Sequence, residues 1–129
     1  MGNKLTLNGL KTQFILFKPS NRKTEGKDFQ LTLRGIKIQR ISGSGTARLL
    51  GLHLDDQNSF KVHIDKIIKK VKGACFMLNS AKYQLRKKER LCIYRSLIES
   101  HLRYGLIFWG PKVTKNQENI LMTVLSARF

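Results

Sequence analysis

Acidic residues are scarce in this chain. Only 8 Asp plus Glu stand against 25 Lys plus Arg in 129 residues, for a formal net charge of +17. A compact state carrying that charge repels itself unless a polyanion relieves it. A balanced, partner-free surface is thereby excluded, and nucleic acid becomes the first expected partner, ahead of an anionic membrane face. Cysteine is nearly missing as well. Cys75 and Cys92 are too few for a disulfide framework, and no secretory signal architecture accompanies them. The expectation is two buried thiols on helices, in a reducing intracellular compartment, nucleus or cytoplasm. Long apolar runs are absent too: nothing approaches the roughly 18 residues a membrane helix needs, so no membrane partner is expected.

What the chain does have is periodicity. At 41% apolar residues it can build one domain's core, though one that would profit from another surface. The first part reads as strands. "TQFILF" (12–17) is a short apolar run, followed by a basic, turn-rich loop. "FQLTLRGIKIQRI" (29–41) alternates, with Gly35 marking a tight turn or bulge. "SGSG" (42–45) connects to "ARLLGLHL" (47–54), read as one further strand, with Gly51 permitting close backbone approach. From Phe60 the spacing changes to that of a helix, with apolar residues at 60, 64, 67, 68, 71, 75 and 78. A second helix is predicted over Lys87 to Phe108, with Leu91, Tyr94, Leu97, Ile98, His101 and Leu102 on one face. "WGPK" (109–112) ends it, and a third runs from about Lys115 to Ala127.

One tempting site is the pair Asp55–Asp56. Metal-assisted phosphoryl transfer needs two or three converging carboxylates. Neighbours on an extended chain point to opposite faces, and the remaining acids are distant in sequence and set among cations. The reading made here is helix initiation, with Ser59 as the cap before Phe60. His53, His63 and His101 form no zinc pattern with the cysteines. The "GSG" at 43–45 precedes a strand, so it is no phosphate cradle. No metal site is expected.

The informative constellation is basic. Lys61, Lys66, Lys69, Lys70 and Lys72 lie along the first helix, and Lys82, Arg86, Lys87, Lys88 and Arg90 follow in "KYQLRKKER" and beyond. Arg95 extends the window, in which Asp65 and Glu89 are the only acids. A solvated helix face ordinarily carries compensating Glu at i−4, and this one has almost none. With Phe76, Tyr83 and Tyr94 interleaved, these cations are candidates for following a phosphate backbone.

Three stretches in order carry a family resemblance. "NKLTLNGLKTQFILF" (3–17), "LLGLHLDDQNSFKVHIDKIIKKV" (49–71) and "RLCIYRSLIESHLRYGLIFWG" (90–110) resemble reverse transcriptases of non-LTR, LINE-type (jockey-like) retrotransposons. "NQENIL" (116–121) is similar to the helix that follows. The resemblance implies the end of a palm with primer-grip strands over residues 1–57, then a helical thumb over 58–129. It implies Lys11 as a palm general acid, and Leu50 and Gly51 in the primer grip. The cationic helix would lie over a template–primer duplex of RNA or RNA–DNA hybrid. The family's catalytic aspartates, which hold Mg²⁺ in the intact polymerase, precede the matched stretches. RNA-directed DNA polymerisation by this chain alone is therefore not expected, and neither is a cofactor of its own. The expected class is α+β: a small antiparallel sheet of about three strands, then a three-helix, thumb-like bundle. Two further readings remain open at this stage. One is an interaction module docking on a separate palm or another protein, through Val62, Phe76, Met77, Cys92 and Ile93. The other is a retroelement remnant without function.

Overall fold

A computed structural model describes residues 8, 9, 11–17 and 29–126. The expected basic loop at 18–28, most of the segment 3–10 and the end of the last helix at Ala127 lie outside the described residues. The fold is α+β, and the chain divides into two compact units, residues 1–59 and 60–129.

In the first unit the strands are short, because turns interrupt the apolar runs every few residues. β1 (Gln13–Ile15), β2 (Thr32–Leu33), β3 (Ile36–Lys37), β4 (Gln39–Ile41), β5 (Ala47–Leu49) and β6 (Leu52–Leu54) form three separate two-stranded ladders instead of one sheet. β2 pairs with β3 and β5 with β6, both antiparallel, as adjacent strands joined by a tight turn must. β1 and β4 pair in parallel, Gln13 beside Gln39 and Ile15 beside Ile41, which the expected all-antiparallel sheet did not anticipate. The long connection between β1 and β4 makes that geometry available, since parallel strands need a crossover rather than a hairpin.

Both hairpins turn on a pair of residues with positive φ: Arg34 (52°) with Gly35 (79°), and Leu50 (48°) with Gly51 (86°). Two consecutive left-handed residues are the signature of the turn whose twist matches paired strands, and glycine at the second place lowers its cost. Residues 47–54 are thus a hairpin bending at Leu50–Gly51, correcting the single strand expected there. Among the described residues of this unit, only Ile41 and Asp56 are buried.

The loop that ends this unit is held by the two aspartates. The Asp55 carboxylate accepts the Ser59 N–H at 2.6 Å and the Ser59 hydroxyl, while Asp56 Oδ2 accepts the Gly43 N–H at 3.2 Å. Ser59 therefore spends its hydroxyl on Asp55 and does not cap the helix. The residue before the helix is Phe60, in the left-handed conformation (φ 54°) and with no side-chain cap. That backbone costs a bulky side chain about 1–2 kcal/mol. Burial of the ring offsets it: Phe60 meets His63 edge to face, and His63 meets Trp109 the same way, at centroid distances of 6.3 and 6.2 Å.

In the second unit α1 (Lys61–Ser80) buries His63, Ile64, Ile67, Ile68, Val71, Ala74, Cys75 and Leu78. The apolar spacing anticipated most of this face. His63 and Ala74 join it because the buried arc spans about 140° at 100° per residue, wider than the strictly apolar series. α2 (Lys87–Ile93) passes without a break into a π-helical stretch (Tyr94–Glu99) and α3 (Ser100–Arg103). The wider turn changes the periodicity. Ile98 becomes fully buried while Leu91 and Leu97 stay exposed, so the single face expected from Leu91 to Leu102 is not maintained.

The expected helix from Lys87 to Phe108 also stops early. Tyr104 is extended and Gly105 left-handed (φ 63°), the usual way a helix terminates. The Tyr104 carbonyl, freed by the break, accepts the Trp109 indole N–H at 2.8 Å. α4 (Leu106–Trp109) runs into a 3₁₀ turn (Gly110–Lys112), and α5 (Lys115–Leu125) begins at a capping box. There Thr114 Oγ1 accepts the Gln117 N–H, and Gln117 Oε1 accepts the Thr114 N–H at 3.1 Å. The same Gln117 donates from Nε2 to Asp65 on α1 at 2.9 Å, joining the two helices where they pack.

Candidate nucleic-acid interface

The sequence-predicted cations divide between the units. Lys11 is exposed in the turn before β1, its N–H donating to the Asn8 carbonyl at 3.2 Å. Leu50 and Gly51 occupy the tip of the β5–β6 hairpin, with Leu50 81% exposed. The ten cations from Lys61 to Arg90 all belong to the second unit.

On α1 the five lysines are exposed because the opposite face supplies the core. At 100° per residue, Lys66, Lys69 and Lys70 fall within about 100° of one another and face away from the buried arc. Lys61 and Lys72 flank them on the side of Asp65. Val62, Phe76 and Met77 lie on the same outer face as the three lysines. Phe76 is 73% exposed, so this surface offers apolar contact as well as charge.

The turn after α1 is fixed by Gln84 and Leu85 N–H groups donating to the Ala81 carbonyl, at 3.0 and 3.2 Å. It presents Tyr83 to solvent, with the Lys82 ammonium 5.0 Å from the ring centroid. Arg86, Lys87 and Lys88 then open α2. Glu89 accepts the Arg86 N–H at 2.8 Å and is the acid that suits this helix end. The three cations do not suit it, since positive charge at a helix N-terminus opposes the dipole.

Few carboxylates answer this charge. Glu99, half-buried, pairs with exposed Arg103 one turn on, at 2.7 Å. Lys69, Lys70, Lys72, Lys87 and Lys88 have no ion-pair partner among the described residues. Arg90 departs from the expectation of a surface cation: it is half-buried, and its Nε is screened from solvent without a hydrogen-bond partner among the described residues. Cys92 departs too, being exposed, whereas Cys75 is buried and its thiol pushed above its usual range by desolvation.

Asp55 accepts from Ser59 through both oxygens, and buried Asp56 accepts the Gly43 N–H at Oδ2, its Oδ1 having no hydrogen-bond partner among the described residues. Among the described residues no three His, Cys, Asp or Glu side chains gather as a metal would require. No helix among them is long and apolar enough to cross a membrane. Gln117 is what sequence reasoning missed: its capping role was legible in the Thr114–Gln117 spacing, but its bond to Asp65 was not. Comparison with protein-family models, curated proteins and solved structures finds no match to this chain.

Proposed function

We propose that this chain grips the backbone of an RNA or RNA–DNA duplex, in the manner of the thumb of a non-LTR retrotransposon reverse transcriptase. The observation that carries the reading is the set of exposed lysines without acidic partners among the described residues, Lys69, Lys70, Lys72, Lys87 and Lys88, on α1 and the start of α2. Phosphate oxygens satisfy such ammonium groups without reading sequence. Lys66 and Lys70 stand one helical turn apart on the outer face of α1, and Phe76, Met77 and Tyr83 add apolar and ring surface beside them. No phosphoryl-transfer step is assigned to the chain. Lys11 would serve an intact polymerase as a palm acid, and Leu50 and Gly51 would steady a primer end.

The test is hybrid-duplex affinity against salt. Neutralising about five phosphates gives a slope near −4.5 by the B-form rule, so affinity should fall by roughly two to three decades between about 50 and 200 mM salt. Changing Lys66, Lys69 and Lys70 to Glu should weaken binding and flatten that slope while leaving the helical circular-dichroism signal intact. A flat salt response in the unaltered chain would end the proposal. A second reading, docking on a separate palm or another protein, is favoured by the exposed apolar residues Val62, Phe76, Met77 and Cys92. In that case a catalytic palm would bind the triple variant as well as the original.

A further inference from the structure

The first unit carries an open cleft of about 460 Å³, remote in sequence from the helical cations. Its wall is made by Phe14, Phe29, Gln30, Lys37, Ile38, Gln39 and Arg40. The chemistry of this lining is uneven in an informative way. Two phenyl rings meet edge to face, centroids 6.1 Å apart at 77°, with Phe14 partly buried and Phe29 exposed. Two cations lie beside them, and no carboxylate lines the cleft among the described residues.

The polar atoms are only partly spoken for. Gln39 Oε1 accepts the Gln13 Nε2 across the parallel ladder at 3.2 Å, on the face opposite Phe14 and Arg40. Arg40 Nε is shielded from solvent and has no hydrogen-bond partner among the described residues. Lys37 is exposed and Arg40 lines the same cleft, so an anion there would meet two cations.

Aromatic rings for a base, an amide for a base edge, and two cations for a phosphate describe one class of ligand. The geometry points to a site for a single unpaired nucleotide: the base against Phe29 and Phe14, its edge at Gln30, and its phosphate at Lys37 and Arg40. This differs from duplex gripping in unit, ligand form and residues, and it does not rest on that proposal. The nucleotide has two possible sources, a free mononucleotide or a base splayed from a single strand.

Phe29 is half-exposed, at 51%, so it can be changed with little risk to folding. The experiment follows the ring resonances of Phe14 and Phe29 and the amides of residues 37–40 by NMR in the full chain. Adenosine 5′-monophosphate, a short single-stranded oligoadenylate and inorganic phosphate are added in separate titrations. Shifts with the mononucleotide alone assign the free-nucleotide source; shifts with the strand alone, or tighter with the strand, assign the splayed base. Either supports the site. Phe29→Ala should weaken that binding about five- to hundred-fold, the range of one base–ring stack, with Phe29→Trp restoring it. The mononucleotide titration and the hybrid-duplex salt titration are read separately on the unaltered chain, which separates failure here from failure of the duplex reading. Phosphate alone reproducing every shift, or no titrant moving the rings, would overturn the assignment.

Discussion

Replacing Trp109 by alanine should test how the second unit holds the four-residue helix α4. Trp109 is 2% exposed, touches His63 edge to face at 6.2 Å and donates its indole N–H to the Tyr104 carbonyl at 2.8 Å. Truncating a buried aromatic to alanine costs about 3–5 kcal/mol through lost transfer energy and the cavity left behind. The indole hydrogen bond adds about 1 kcal/mol. A unit of about 70 residues has some 3.5–10 kcal/mol of stability in all, at roughly 0.05–0.15 kcal/mol per residue. The alanine variant should therefore lose at least a third of that total, and at the low end should unfold. Urea denaturation followed by far-ultraviolet circular dichroism reads this without depending on the tryptophan itself. Trp109→Phe keeps a ring for His63 and loses only the hydrogen bond and some area. It should melt about 4–8 °C lower per kcal/mol lost, near 1–2 kcal/mol in all. A Trp109→Ala protein melting within about 4 °C of the original would refute the claim that Phe60, His63 and Trp109 form the anchor that places α4 against α1.

Three further outcomes follow from the same unit. Iodoacetamide at pH 7–9 should label exposed Cys92 in the native protein, with Cys75 labelling only after denaturation; mass spectrometry of the two peptides reads it, and equal native rates would contradict the burial. Because burial raises the Cys75 thiol above its unfolded value, its contribution to stability is full below the unfolded pKa and is lost as pH climbs through the folded one. Stability should decline on that account only above about pH 9. Thr114→Ala should cost about 0.5–2 kcal/mol by leaving the Gln117 N–H without its cap, with Thr114→Ser recovering most of it in the same denaturation assay.

How far the sequence could be read varies along the chain, for reasons that can be named. The buried face of α1 was visible because Ile64, Ile67, Ile68, Val71 and Leu78 repeat at the helical period, and burial of one stripe is what that period means. The turn at Gly35 was visible because few residues other than glycine take its place. The bend at Leu50–Gly51 was hidden, since leucine disguised a left-handed position as part of an alternating strand. The candidate cations from Lys61 to Arg90 were found by counting charge. Which of them stand without acidic partners required neighbours in space, as did the half-burial of Arg90.

The sequence by itself determined the excess of positive charge, the α+β class and the core face of the long helix, because composition and period are local properties. Tertiary structure decided the rest. It committed Asp55 and Asp56 to holding a loop, broke the second helix at Gly105, paired β1 with β4 in parallel, and brought Phe14, Phe29 and Arg40 around one cleft. Those outcomes depend on which distant groups satisfy a given donor, acceptor or ring, and no spacing along a chain records that.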